Sequence, residues 1–145
     1  MTDISELSVS RIEHEADIDA SLETTWVALL DQIGPGFVGP KGEQMSFVLE
    51  AWPGGRWYRD LGNNTGHLWG HVQVIKPPKL LEIVGPMFMS YPVSSHMQYR
   101  LTEKGSGTHL QFVHRAFGAI TAEHRSGMWE GWGQIFDAIK GRAIR

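Results

Sequence analysis

Two histidines are placed where chemistry can happen. His14 falls on the apolar side of an alternating run, in phase with Ile12, Ala16 and Ile18, and His114 alternates in phase with Leu110, Phe112 and Ala116. Both imidazoles are therefore expected to face an interior. An imidazole in a cavity can act as a general base or orient a polar ligand group, because its pKa of about 6.5 lies near neutrality. The competing assignment is a pair of hydrogen-bonded core histidines, since buried polar groups are as a rule satisfied. The alternation leaves both open.

His67 and His71 share one face of another short run with Trp69, while Leu68, Gly70, Val72 and Val74 share the other. Which face is inside is not decided by the pattern. With the histidines inward they would join His14 or His114 in a polar patch. Zinc accepts three histidines and a water, but no His/Asp/Glu cluster here has a ligand spacing and HExxH is absent. No metal or other cofactor is expected. Arg56, Tyr58 and Asp60 alternate along a further run. Arg56 can hold a carboxylate in bidentate fashion and Tyr58 can donate its hydroxyl. Alternatively Arg56 or Arg59 pairs with Glu50 or Asp60 across a hairpin turning at Pro53-Gly54-Gly55.

The elements that position these residues follow from periodicity and punctuation. Arg11 to Ala20 alternates apolar and charged residues and predicts a strand with one wet face. Ser21 then suits an N-cap, with Trp26, Leu29, Leu30 and Ile33 at helical spacing up to Gly34. Between Gly34 and Gly42 there is room only for a short helical turn around Phe37. Six short strands follow, over residues 45–52, 56–61, 67–75, 80–85, 94–103 and 108–117. The Gly- and Pro-bearing turns between them are too short for parallel crossovers, so the strands form an antiparallel meander. The segment Thr121 to Arg142 carries Met128, Trp132, Ile135, Phe136 and Ile139 about one turn apart, which predicts an amphipathic helix of about six turns lying on the sheet. Gly127, Gly131 and Gly133 interrupt it, each disfavoured by about 1 kcal/mol relative to Ala. Either the helix approaches a strand closely there, or space is kept for a ligand.

Composition bounds the function. The chain has 145 residues, 41% hydrophobic and 20% charged, with net charge −3, which describes one globular domain. Thirteen scattered Lys and Arg residues do not supply the clustered charge that a nucleic-acid backbone requires. No apolar run reaches the roughly 18 residues of a membrane span. The absence of cysteine and of any leader-like start leads us to expect a cytoplasmic protein.

Several local sequences occur in a telling order: Ile18-Asp19-Ala20 running into Glu23 and Trp26, Glu50 with Pro53-Gly54-Gly55-Arg56, Gly70-His71-Val72 running into Pro77-Pro78 and Leu81, and the closing Gly131-Trp132. With these the chain resembles the START-like (SRPBCC) superfamily, and within it the homologues of the heat-shock-protein ATPase activator and of polyketide cyclases. The resemblance implies a single α+β domain over residues 1–145 with helix-grip architecture. A seven-stranded curved antiparallel sheet would wrap around the long C-terminal helix, with two short helices after the first strand and the first and last strands adjacent. It also implies a cavity between sheet and helix, which in many relatives holds a lipid, sterol, plant hormone or polyketide; no catalytic residue set comes with it.

The first expectation is therefore a binding protein for a small hydrophobic or amphipathic ligand. Its site would comprise His14, Arg56, Tyr58, Trp69, His71, Phe112, His114, Met128 and Trp132. Trp52, Trp57 and Trp129 would add to an aromatic wall or fill space beside it. The alternatives are a cyclase, dehydratase or hydrolase using His14 or His114 as base with Tyr58 or Arg56 stabilising negative charge, and a chaperone-associated protein working through its surface. The apolar segment from Gly85 to Val93, with Met87, Phe88, Met89 and Tyr91, is expected to be a lid or a homodimer contact.

Overall fold

The computed structural model describes residues 7–39, 41–87 and 92–145. Alternation becomes sheet along most of the chain: β1 (Ser8–Ile18), β2 (Phe47–Leu49), β3 (Arg56–Gly62), β4 (Thr65–Lys76), β5 (Leu80–Gly85), β6 (Val93–Lys104) and β7 (Gly107–Gly118). Helix α1 (Leu22–Ile33) follows β1, and α2 (Ala122–Ala143) closes the chain. The strands form one antiparallel sheet in the order β1-β7-β6-β5-β4-β3-β2. The meander β2 to β7 is thus closed by β1 pairing with β7, with His14 opposite Phe112 and Ile12 opposite His114. Ladder partners share a face, so Ile12, His14, Phe112 and His114 all point to the concave side, where α2 lies.

Both helices begin on a side-chain cap. Ser21 accepts from the Thr24 N–H and Thr121 from the His124 N–H, each at 3.1 Å, which satisfies one of the free amides of the first turn. Leu29 and Ile33 of α1, Leu81 and Ile83 of β5 and Phe136 and Ile139 of α2 belong to one buried cluster. Trp57, fully buried, donates its indole N–H to the Ile33 carbonyl at 2.7 Å and so ties the end of α1 to the sheet. Trp57→Phe should lower stability by about 1–3 kcal/mol, because it leaves that carbonyl dry. A lower urea midpoint at unchanged m-value is the expected reading.

Two expectations need correction. No second short helix follows α1 among the described residues. The amides of Gly36 and Phe37 close a single turn on Asp31 and Gly34, and then Gly39 and Met45 bond to Glu43 and Phe37 across a small loop. Val38 bridges Gln44 there, so these amides are used across the loop and are not free for i→i−4 bonds. The second correction concerns β4. Trp57 stands opposite Gly70 but Tyr58 opposite Leu68, so Trp69 is an extra residue in a β-bulge, which resets the period of two. Trp69 therefore packs inward on Phe47 and Trp57 at 4.8 and 5.1 Å between centroids, alongside buried Val72, while His71 is exposed. His71 and Trp69 do not share a face. Gly70 is required beside the bulge, since a Cβ there would lie 2.6 Å from the Val84 carbonyl oxygen.

Candidate ligand cavity

One side of α2 does not touch the sheet. Between it, the 37–45 segment and Trp69 lies a cavity of about 530 Å³. Phe37, Val38, Met45, Met128, Trp132 and Ile135 make its apolar wall. The helix contributes Gly127, Gly131, Ala138 and Gly141 to the lining, and a Cβ at any of these three glycines would meet nothing within 4 Å. These three are therefore not explained by close helix–strand approach; they leave open volume beside the helix. Gly133 differs, for its Cβ would come within 3.4 Å of His14. At the far end Arg142 donates to Gln32 at 2.6 Å, to Asp31 at 2.5 Å and to the Gly36 carbonyl at 2.7 Å, holding the C-terminal ends of the two helices together. A larger groove of about 1060 Å³ runs between the start of β1 and the start of α2, past Arg11, Thr121 and Arg125. It is the less suitable ligand site, because small-molecule sites are predominantly apolar and concave.

The residues singled out from the sequence separate into three groups. Trp69, Met128 and Trp132 line the cavity. Phe112 and His114 lie under the Trp132 ring, at 5.6 and 5.0 Å between centroids. His14 sits further along, 4.9 Å from Trp129 and 5.6 Å from Phe136. The imidazoles face inward as expected, but packed aromatic side chains stand in front of them and neither borders the cavity.

Arg56, Tyr58 and His71 form the third group, and contrary to expectation they lie away from this cavity. They lie on the convex face, where the cross-strand pairing with Glu50 is the one formed. The Arg56 guanidinium makes two 2.8 Å bonds to Glu50 and stacks over Tyr58 at 4.8 Å. Those bonds hold the Glu50 carboxyl at about 2, well below its usual range. His71 stands opposite Arg56 on the same face. Trp52 and Trp129 are more than half exposed and Trp57 is core, and none of them lines this cavity, though Trp129 borders the larger groove. His67 is exposed opposite Arg59, and among the described residues no three His, Asp or Glu side chains are grouped to hold a metal ion. Met87 is buried, while Phe88, Met89 and Tyr91 lie outside the described residues.

Burial sets the electrostatics of the interior. It lowers His114 to about 4, with a smaller push from His96, and drives the Tyr99 hydroxyl far up. The two nitrogens of His114, the Tyr99 hydroxyl, the Ser95 hydroxyl and the Trp132 indole N–H are buried without a hydrogen-bond partner. Ser95 and Tyr99 were not singled out from the sequence. Their signal was present in the alternation Ser95, Met97, Tyr99, which puts both on one face with the partner of His114.

A curved antiparallel sheet gripping a long C-terminal helix, with a cavity beside that helix, defines a helix-grip protein of the START-like superfamily. The chain belongs to the family of activator of Hsp90 ATPase homolog 1-like proteins, whose model matches residues 19–143. Its fold is similar to that of an uncharacterized protein from Rhizobium leguminosarum, at a TM-score of 0.72 and 14% identity over 96% of this chain and 97% of that one. SA2116 from Staphylococcus aureus, a protein of unknown function, gives 0.68 and 16% over 97% and 96%. CalU16 from Micromonospora echinospora gives 0.62 and 19% over 94% and 85%. At these identities the likeness concerns the fold alone. No curated protein matches the sequence. Among the described residues no helix is long and apolar enough to cross a membrane.

Proposed function

We propose that the protein binds a small apolar or amphipathic molecule in the cavity between α2, the 37–45 segment and Trp69. The observation that carries this reading is the open apolar volume beside glycines of α2 that no neighbour approaches. A glycine inside a helix is disfavoured, and here no packing contact compensates for it. Binding is favoured over turnover because the described lining holds no His, Asp, Glu, Ser or Tyr, so no ordinary general base or nucleophile borders the cavity. Its polar side chains are Gln32, Gln134, Arg142 and Arg145, which suit the polar end of an amphipathic ligand.

Trp69 and Trp132 make the cavity wall fluorescent, so binding should be visible directly. Titration with a panel of hydrophobic and amphipathic compounds is expected to change tryptophan emission saturably, and mass spectrometry of the purified protein under native conditions should show a co-purified mass. Arg56→Ala should leave the affinity unchanged, since Arg56 lies on the convex face with Glu50. Absence of any saturable response across the panel, with no added mass, would remove the proposal.

A further inference from the structure

An open sheet edge is a template for another strand, and the two edges of this sheet differ in character. At one end β2 is three residues long, too short to seat a partner. At the other end β1 runs for eleven residues, contains neither Pro nor Gly, and pairs with β7 throughout without a bulge. Outside that ladder its backbone makes no hydrogen bond to backbone among the described residues. Its acidic and basic side chains, Arg11, Glu13, Glu15 and Asp17, alternate onto the convex face, so none is turned inward to obstruct pairing. The larger groove follows the first half of this edge, with residues 8–12 along one side and Arg125, Ser126 and Trp129 along the other. Trp129 is 56% exposed there.

We infer that β1 is a dimer interface: two copies of this chain join their β1 strands antiparallel about a two-fold axis at Ile12, and their sheets become continuous. The interface does not depend on what the cavity holds. Charge selects the register. In a two-fold pair that keeps the convex faces together, the position of the axis decides which side chains oppose each other. An axis anywhere from Glu13 to Asp17 sets carboxylate against carboxylate, one at Arg11 sets the two guanidinium groups together, and one at Ser10 brings no charges face to face. At Ile12 each Arg11 faces Glu13 of the partner subunit, and no like charges oppose. Arg11 and Glu13 already pair within one strand, so in the dimer the four side chains alternate in sign across the axis. Exposed ion pairs bring little affinity; the main-chain bonds supply it, and the charges fix register and partner.

Sedimentation equilibrium of the full chain at pH 7.5, up to about 100 μM, tests this; a dimer with a Kd of about 10 μM is mostly associated at the upper end. Arg11→Glu and Glu13→Arg each set like charges across the axis and should weaken association at least about ten-fold. Combining the two restores opposite charges and should return the Kd to within about three-fold of wild type. The two side chains are 57 and 50% exposed, so the circular dichroism of all three variants should match that of the wild type. A wild-type protein that stays monomeric throughout the range overturns the inference and leaves the edge to a strand of another protein. Dimers indifferent to the single reversals also overturn it, by placing the interface elsewhere. A combined variant that associates no better than the single ones does so too, by denying that Arg11 faces Glu13.

Discussion

Gly131→Leu is expected to make the protein more stable and, at the same time, to weaken ligand binding by about a hundred-fold, or about 2.7 kcal/mol. The two effects share one cause. Gly131 lies within α2, and a Cβ there would meet nothing within 4 Å, so a leucine enters without strain. Leucine is a far better helix former than glycine, by somewhat under 1 kcal/mol, which for a chain of this length raises the melting temperature by about 2–4 °C. The new side chain, however, projects into the 530 Å³ cavity and takes the space the ligand needs. Gly133→Leu is the contrasting case on the same helix. Its Cβ would already be in van der Waals contact with the His14 ring at 3.4 Å, so the leucine carbons beyond it should destabilise by about 1–3 kcal/mol through overpacking. Scanning calorimetry and ligand titration of both variants decide the matter. Lower stability in Gly131→Leu would show that the volume beside the helix is occupied; undiminished affinity would place the ligand elsewhere.

Why those glycines stand open could not be read from the sequence. Periodicity locates α2 and its apolar stripe, but the same glycine serves close packing and empty space alike, and only its neighbours distinguish the two. Local rules carried far elsewhere. The alternation of Ile12, His14, Ala16 and Ile18 gave the inner face of β1, the Ser21 cap gave the start of α1, and the turn at Pro53-Gly54-Gly55 gave the start of β3, whereas β2 is only Phe47–Leu49, shorter than the expected 45–52. What failed was continuity of phase. One additional residue at Trp69 is invisible to a pattern of period two and moves Trp69 inward while His71 stays outside. Likewise nothing local says whether Arg56 meets a ligand or Glu50; the strand's face decides, and the face is set by its pairing. The position of the open volume depends on how the 37–45 segment folds back, which is a tertiary contact between stretches without strong periodicity.

Between pH 6.5 and 4 the wild-type protein is expected to lose about 3 kcal/mol of stability that a His114→Leu variant keeps. The imidazole is fully buried beneath Trp132 and opposite Met97, and burial holds its folded-state value at about 4, below the ordinary 6.5. The folded state therefore binds fewer protons than the unfolded chain across this window, and stability rises with pH wherever the unfolded state holds more of them. The contribution is complete above pH 6.5, is lost as pH falls through the window, and changes little below about 4. The fall from 6.5 to about 4, at about 1.36 kcal/mol for each tenfold change in proton affinity, gives the magnitude. The pairs His109–Asp17 at 2.7 Å and His96–Glu82 at 2.8 Å are present in both chains. At pH 7.5 the variant should in addition exceed the wild type by about 1–3 kcal/mol, because leucine removes two nitrogens that have no partner. Urea denaturation at pH 7.5, 5.5 and 4.5 measures both effects. Parallel loss of stability in the two proteins would mean that His114 is hydrated and protonates freely. A difference that grows as pH falls would identify it as a neutral group kept dry in the core.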